Sequence, residues 1–434
     1  MMRYGVGRLG ALLLAVMALG GPARADLRGY VGKPQPELRW SKESENAAGP
    51  VKIINLKLRS QVWRDLPWDH SIQIFVPKVI KHPKSALLLI TGGSPGLTDT
   101  LLGSQLAPRL EAPLVILYNI PNQPLYDGKK EDDLIAHTFE QFLKSGDEEW
   151  PLLLPMVRSA TAAMDAVQQL SRKEWETPVD GFVVTGASKR GWTTWLTAAA
   201  DPRVRGIAPM VFDNLNFGAQ MPRQLELWGK YSEQIDDYSR RGLQQQLATE
   251  RGRRLTSIVD PWTYRKTLTL PKLLINGAND RYWPTDATRL YWNDLEGEKH
   301  VLMVPNSGHG LEDRNRVIDS LTAFFHSVSG DAALPVLAHK YEEKGGKVRL
   351  SLESTLPPKA VRVWTTKAMD LDFRPTKWEA TEVAAPTSGN KYQTEITLPG
   401  AGGLALFFEA EYEQDGRHFT LSTPSAVYGK RPQP

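Results

Sequence analysis

The chain has no cysteine in its 434 residues. That excludes disulfides, a thiolate nucleophile and cysteine-ligated zinc, so an exported form must be held by its core alone. Histidine is scarce too, at eight, and a catalytic base has few candidates. No sign of charge dominates. With 53 basic against 49 acidic residues, nothing resembles the clustered basic face that binding of nucleic acid calls for. There is no internal repeat and no low-complexity tract. Beyond the first 25 residues no apolar run is long enough to cross a bilayer.

Those first 25 residues read differently. Arg3 and Arg8 make a basic start, residues 11–19 form a short apolar core, and Ala23-Arg24-Ala25 supplies an A-x-A cleavage site before Asp26. This is the layout of a secretory signal peptide, too short for a membrane span. It implies a periplasmic or secreted protein. Cleavage removes three arginines and no acid, so the formal net charge falls from +4 to about +1.

What is present is a serine in a particular setting. Residues 181–185 are an apolar, β-branched run, and Gly186-Ala187-Ser188-Lys189-Arg190-Gly191 follows, leading into the Ala- and Thr-rich residues 193–200. The pattern predicts strand, tight turn and helix, with Ser188 at the apex. Such a nucleophile elbow lifts a serine hydroxyl above a sheet. Gly186 and Gly191 let strand and helix approach closely beside the turn. The common form is G-x-S-x-G; here Arg190 takes the second-glycine position and the glycine comes one residue later.

A serine nucleophile needs a base, and the base needs an acid to orient it. Residues 272–277 read as a strand, and Asp280 lies in the loop after it. Residues 300–305 read as the next strand, which runs into His309 between Gly308 and Gly310. The order Ser, Asp, His is that of α/β-hydrolases, and all three fall at strand C-terminal ends, where open α/β sheets build their sites. Asp213 also follows an apolar run and is the alternative acid. Of the other histidines, His82, His137, His300, His326, His339 and His418 do not sit on glycine-rich loops at strand ends, and His70 reads as structural. For the oxyanion, the backbone N–H of Lys189 and that of Gly93 (or Ser94), in the glycine loop after residues 85–91, are the expected donors. Tyr282 and Trp283, beside Asp280, are expected to line the substrate pocket. No metal or cofactor is needed for this chemistry.

Residues 186–195 also resemble the signature of the PhoPQ-activated pathogenicity-related proteins. Further resemblances are Glu131-Asp132-Asp133-Leu134-Ile135-Ala136, Leu154-Pro155-Met156, Ala163-Met164-Asp165-Ala166-Val167 and Asn276-Gly277-Ala278-Asn279-Asp280. The resemblance runs from about residue 38 to the C-terminus. It implies the α/β-hydrolase fold and makes the displaced glycine of the elbow a family trait; it names no substrate.

Strands and helices alternate from residue 51 to 330, which predicts a mostly parallel, doubly wound sheet. Residues 26–50 are polar and are expected to wrap the surface. Residues 51–58 and 71–77 read as two antiparallel edge strands. Residues 214–268 interrupt the rhythm and read as a helical cap with an aromatic stripe. Its arginines, Arg240, Arg241, Arg251, Arg253 and Arg254, suit a solvated face or, alternatively, an anionic substrate. Residues 335–434 alternate as strands and predict an immunoglobulin- or fibronectin-like β-sandwich. There Trp364 and Trp378 are read either as core or as exposed contacts for a protein or glycan.

The expectation is therefore an α/β-hydrolase domain over residues 26–330 followed by the sandwich, acting as an exported serine hydrolase on a small-molecule ester or amide, or on a peptide. One alternative is a non-catalytic binding or interaction protein on the same scaffold. Another is an aminopeptidase-like serine peptidase, in which the acidic run at residues 131–133 reads a free amine, although capping of a helix explains that run as well.

Overall fold

The computed structural model describes residues 26–384 and 386–431; the segment read as a signal peptide lies outside the described residues. After a short helix α1 (Leu27–Val31), the chain forms three antiparallel strands, β1 (Arg39–Ala48), β2 (Val51–Trp63) and β3 (Leu66–Pro77). Strand β1 falls in the stretch expected to wrap the surface. It carries almost no buried residue, so it has no apolar face for an alternating pattern to reveal.

The parallel sheet comprises β4 (Ser85–Ile90), β5 (Leu114–Leu117), β6 (Gly181–Ala187), β7 (Val204–Met210), β8 (Lys272–Gly277) and β9 (Lys299–Val304). The order across the sheet is β1-β2-β3-β5-β4-β6-β7-β8-β9. The chain leaves β4 for β5 on one side and returns to β6 on the other. This reversal is the switch point at which open α/β sheets hold ligands. Adjacent residues of one strand feed opposite cores: Val183 belongs to the one that holds Leu106, Leu110 and Phe324, whereas Val184 belongs to the one that holds Val157, Trp195 and Leu196. The helices are split accordingly. Helices α3 (Glu131–Ser145), α4 (Leu153–Glu174) and α5 (Lys189–Ala200) cover one face, and α2 (Leu97–Leu110) lies on the other. With this strand order the protein has the α/β-hydrolase fold.

Between β7 and β8 the chain inserts four helices, α6 (Phe217–Trp228), α7 (Asp236–Ser239), α8 (Leu243–Gln246) and α9 (Glu250–Val259). Their arginines are mostly spoken for. Arg241 binds Asp133 at 2.5 Å, Arg254 binds Glu148 at 2.5 Å, and Arg251 donates to the carbonyls of Leu143 and Lys144. They tie the cap to α3 and the loop after it.

Helix α10 (Arg314–Val328) returns to the α2 face and leads to the C-terminal strands β10 (Leu337–Lys344), β11 (Lys347–Ser354), β12 (Ala360–Ala368), β13 (Glu379–Glu382), β14 (Lys391–Thr397), β15 (Gly403–Gln414), β16 (Arg417–Ser422) and β17 (Ala426–Gly429). Strands β10-β11-β14 form one sheet. The other, β16-β15-β12-β13 with β17 against β15, meets β9 through the pair Ser422–Val301. One apolar core runs on from Phe324 and Phe325 of α10 to Leu350 and Phe408 of the sandwich. Trp378 is 1 % exposed and packs on Phe407, so it is core rather than a contact for a glycan or partner.

Candidate active site

Ser188 sits between β6 and α5 with φ 58° and ψ −123°. An L-residue holds this backbone at a cost of about 1–3 kcal/mol, a strain typical of functional turns. The flanking glycines make the turn possible. A Cβ on Gly186 would lie 2.8 Å from the carbonyl oxygen of Arg190, and one on Gly191 would lie 2.8 Å from that of Met210.

Arg190, which occupies the usual glycine position, is buried. Its guanidinium binds Glu131 through two contacts of 2.6 and 2.8 Å, and its Nε donates to the carbonyl of Ile120 at 2.5 Å. Burial works upward on the Glu131 carboxyl, but the bonds and charge of Arg190 outweigh it and hold the pKa at about 2. Gly92 makes room for this arginine: a Cβ there would fall 1.7 Å from its Nη2. The displaced glycine of the elbow and the glycine loop after β4 are thus two halves of one arrangement.

The loops after β8 and β9 bring Asp280 and His309 together. His309 Nδ1 lies 2.8 Å from Asp280 Oδ2, and the backbone N–H of Tyr282 donates to Asp280 Oδ1 at 2.8 Å. The Tyr282 ring stacks on the imidazole, with centroids 4.1 Å apart and planes 29° apart. His309 Nε2 is buried and has no hydrogen-bond partner among the described residues. Asp213, the alternative acid, is engaged elsewhere: it accepts from Thr288 Oγ1 at 2.7 Å and from the Tyr291 hydroxyl. Burial pushes its pKa up to about 7.

Ser188 and His309 line one cavity of about 820 Å³, its open mouth included, beneath the cap. Tyr282 and Trp283 line it too. Most of its wall is apolar, with Phe212, Phe217, Leu247, Leu255 and Val259 prominent. Trp192, from the elbow motif, stacks on Phe212 at 5.0 Å and donates to the carbonyl of Val259 at 2.5 Å, which locks elbow and cap together. Lys189 is at the cavity, its N–H in the first turn of α5, where helical N–H groups lack intrahelical partners. Gly93 is not in the wall; its N–H faces Thr91 Oγ1 at 3.5 Å.

Asp132 and Asn214 are further polar residues of the wall. Asp132 accepts from Lys189 Nζ at 2.8 Å and from the Tyr238 hydroxyl at 2.9 Å. It comes from the acidic run, which the structure uses to anchor elbow and cap. Asn214 lines the cavity with its Oδ1 buried and unpartnered. It adjoins Asp213 after β7, and position after a strand is the one signal that points to it.

The model of the PhoPQ-activated pathogenicity-related proteins matches residues 27–374. The chain belongs to that family. This family member is 32% identical over 445 residues to "Autocrine proliferation repressor protein A" of Dictyostelium discoideum, an alignment covering 92% of this chain and 88% of the relative. Among solved structures, it is similar to acetyl xylan esterase 1 from Thermoanaerobacterium sp. JW/SL YS485, at 17% identity and TM-score 0.47 over 70% of this chain and 95% of the other. It is also similar to an S-formylglutathione hydrolase from Agrobacterium tumefaciens, at 13% identity and TM-score 0.43 over 66% of this chain and 99% of the other. Among the described residues no helix is long and apolar enough to cross a membrane.

Proposed function

We propose that this protein is an exported serine hydrolase that cleaves an ester or amide bond through an acyl-enzyme. The observation that carries the reading is the His309–Asp280 bond of 2.8 Å, with His309 Nε2 left free in the cavity that Ser188 lines. Asp280 accepts from Nδ1–H, so the lone pair of the neutral ring is on Nε2, which is the tautomer a base requires. Ser188 Oγ attacks the carbonyl carbon and His309 Nε2 takes its proton. The tetrahedral intermediate collapses, the leaving group takes that proton, and water repeats the sequence on the acyl-enzyme. The N–H of Lys189 supplies one oxyanion donor. The glycine loop after β4, expected to give the second donor, is not in the cavity wall, and Gly93 would serve only if the loop moved inward and its N–H turned from Thr91. No metal or cofactor enters any step.

The apolar wall suits a hydrophobic acyl group or side chain next to the scissile bond, since each buried methylene contributes about 0.8 kcal/mol. p-Nitrophenyl butyrate and hexanoate are expected to react with higher kcat/KM than the acetate.

A fluorophosphonate probe tests the reading. Wild-type protein is expected to be labelled, and Ser188→Ala and His309→Ala are not. Folded wild-type protein that resists the probe would sink it. That result would favour the second reading, an interaction protein on a hydrolase scaffold, for which the name of the Dictyostelium relative speaks.

A further inference from the structure

At the sheet edge opposite Ser188, three side chains converge that the hydrolase chemistry does not use. His82 comes from the turn before β4, His326 from the last turn of α10, and Asp331 from the connection into the sandwich. His82 Nε2 lies 3.0 Å from His326 Nδ1, His326 Nδ1 lies 3.0 Å from Asp331 Oδ2, and His82 Nε2 lies 3.5 Å from Asp331 Oδ1. The two imidazoles are buried, with side-chain exposures of 8 % and 2 %, and Asp331 is 30 % exposed.

We propose that His82, His326 and Asp331 bind a divalent transition-metal ion, zinc by preference, that pins the hydrolase domain to the sandwich. Bonds of about 2.0–2.1 Å in a tetrahedral site set ligand atoms roughly 3.3 Å apart. The three edges observed bracket that figure. Two imidazoles and a carboxylate are a donor set that zinc accepts, and no cysteine is required.

Lone-pair accounting points the same way. His326 Nε2 lies 2.9 Å from the carbonyl oxygen of Arg109, which can only accept, so Nε2 carries the hydrogen. In the neutral ring Nδ1 then presents a lone pair. His82 Nε2–H can donate to that lone pair, but the carboxylate of Asp331, also 3.0 Å from Nδ1, has no proton to give. A cation at the centre satisfies all three. Behind the ligands stand the supports that metal sites use. The Arg109 carbonyl fixes the His326 tautomer, and Arg417 lies 3.2 Å from Asp331 Oδ2 and 3.5 Å from Glu111, holding the carboxylate. Lys81 pairs with Glu111 at 2.7 Å. The two cations and two carboxylates thus balance around the site, which leaves the charge of the metal ion uncompensated and makes the expected affinity moderate. Asp331 is the part-exposed ligand, so water can reach the site to complete the coordination.

The test uses tag-free full-length mature protein stripped with chelator and titrated with Zn2+ and with Co2+. One equivalent per chain, a rise in Tm, and the intense visible absorption of tetrahedral Co2+ are expected. Asp331→Asn, at the part-exposed ligand, and His82→Gln should each lose the absorption and the Tm rise, while Ser188→Ala keeps both. Wild-type protein that takes up no stoichiometric metal would overturn the proposal, and so would uptake that persists in a folded Asp331→Asn protein. Should His82→Gln fail to fold, the wild type and Asp331→Asn decide by themselves.

Discussion

Asn306 and Trp378 exchange two hydrogen bonds across the junction of hydrolase domain and sandwich, Trp378 N–H to Asn306 Oδ1 at 2.8 Å and Asn306 Nδ2 to the Trp378 carbonyl at 3.1 Å. Asn306 is three residues before His309. Asn279, next to Asp280, donates from Nδ2 to the carbonyls of Phe373 at 3.2 Å and Thr376 at 2.7 Å. One segment of the sandwich, residues 373–378, therefore grips both loops that carry Asp280 and His309. The C-terminal module is part of the site's support.

That grip predicts a loss of activity from residues that never meet substrate. Asn279→Ala and Asn306→Ala should each slow fluorophosphonate labelling by about 10-fold or more, since small displacements of a catalytic group are costly. Binding of substrate, read in KM, should change little, and circular dichroism should stay native. Labelling at the wild-type rate in folded Asn279→Ala protein would mean that the clamp has no bearing on the placement of Asp280 and His309.

The two aspartates after β7 and β8 separate cleanly. Asp280→Asn should leave the fold intact and lower kcat by about 10⁴, because an asparagine cannot hold the productive histidine tautomer. Asp213→Asn removes no contact to His309, and its kcat should stay within a few fold. A larger loss from Asp213→Asn than from Asp280→Asn would transfer the acid to the earlier loop.

The placement of these residues was legible in the sequence. Ser188, Asp280 and His309 each lie just after a strand, as their apolar runs and flanking glycines suggested. The elbow glycines were legible because their steric role is local. Strand β1 was not, since an edge strand exposed on both faces shows no alternation. Trp378 could be read as core or as surface, because its neighbours Asn306 and Phe407 are distant in sequence. Asp132 was read as part of an acidic run that caps a helix or, alternatively, meets a free amine. Its partners Lys189 and Tyr238 come from the elbow and the cap, and only the folded chain brings them together. The same reason hid the pairing of His82 with His326, 244 residues apart.

Asp213 predicts a pH dependence of stability. Burial raises its pKa to about 7 in the folded chain, against about 3.9 when unfolded. Between those values the unfolded chain loses its proton and the folded chain keeps it, so folding becomes less favourable as pH rises. The contribution is full below about pH 4 and is lost by about pH 7, with a size of a few kcal/mol. Asp213→Asn cannot ionise, so its Tm relative to wild type should climb between pH 5 and 7.5. A difference that stays flat over that range would mean that Asp213 ionises at its ordinary pKa.

Gly92 offers a test of the unusual elbow. Its φ is not in the left-handed region, so backbone strain does not demand glycine there; the demand is for space beside Arg190. The guanidinium is pinned by Glu131 and by the Ile120 carbonyl, so it cannot swing clear of a methyl group without giving up those bonds. Gly92→Ala should therefore cost about 1–3 kcal/mol of stability, the usual range for overpacking. In an Arg190→Ala background the same change should cost almost nothing, because the atoms it would strike are gone. This double-mutant cycle isolates the pair. Equal costs in the two backgrounds would show that Gly92 is needed for some reason other than the arginine.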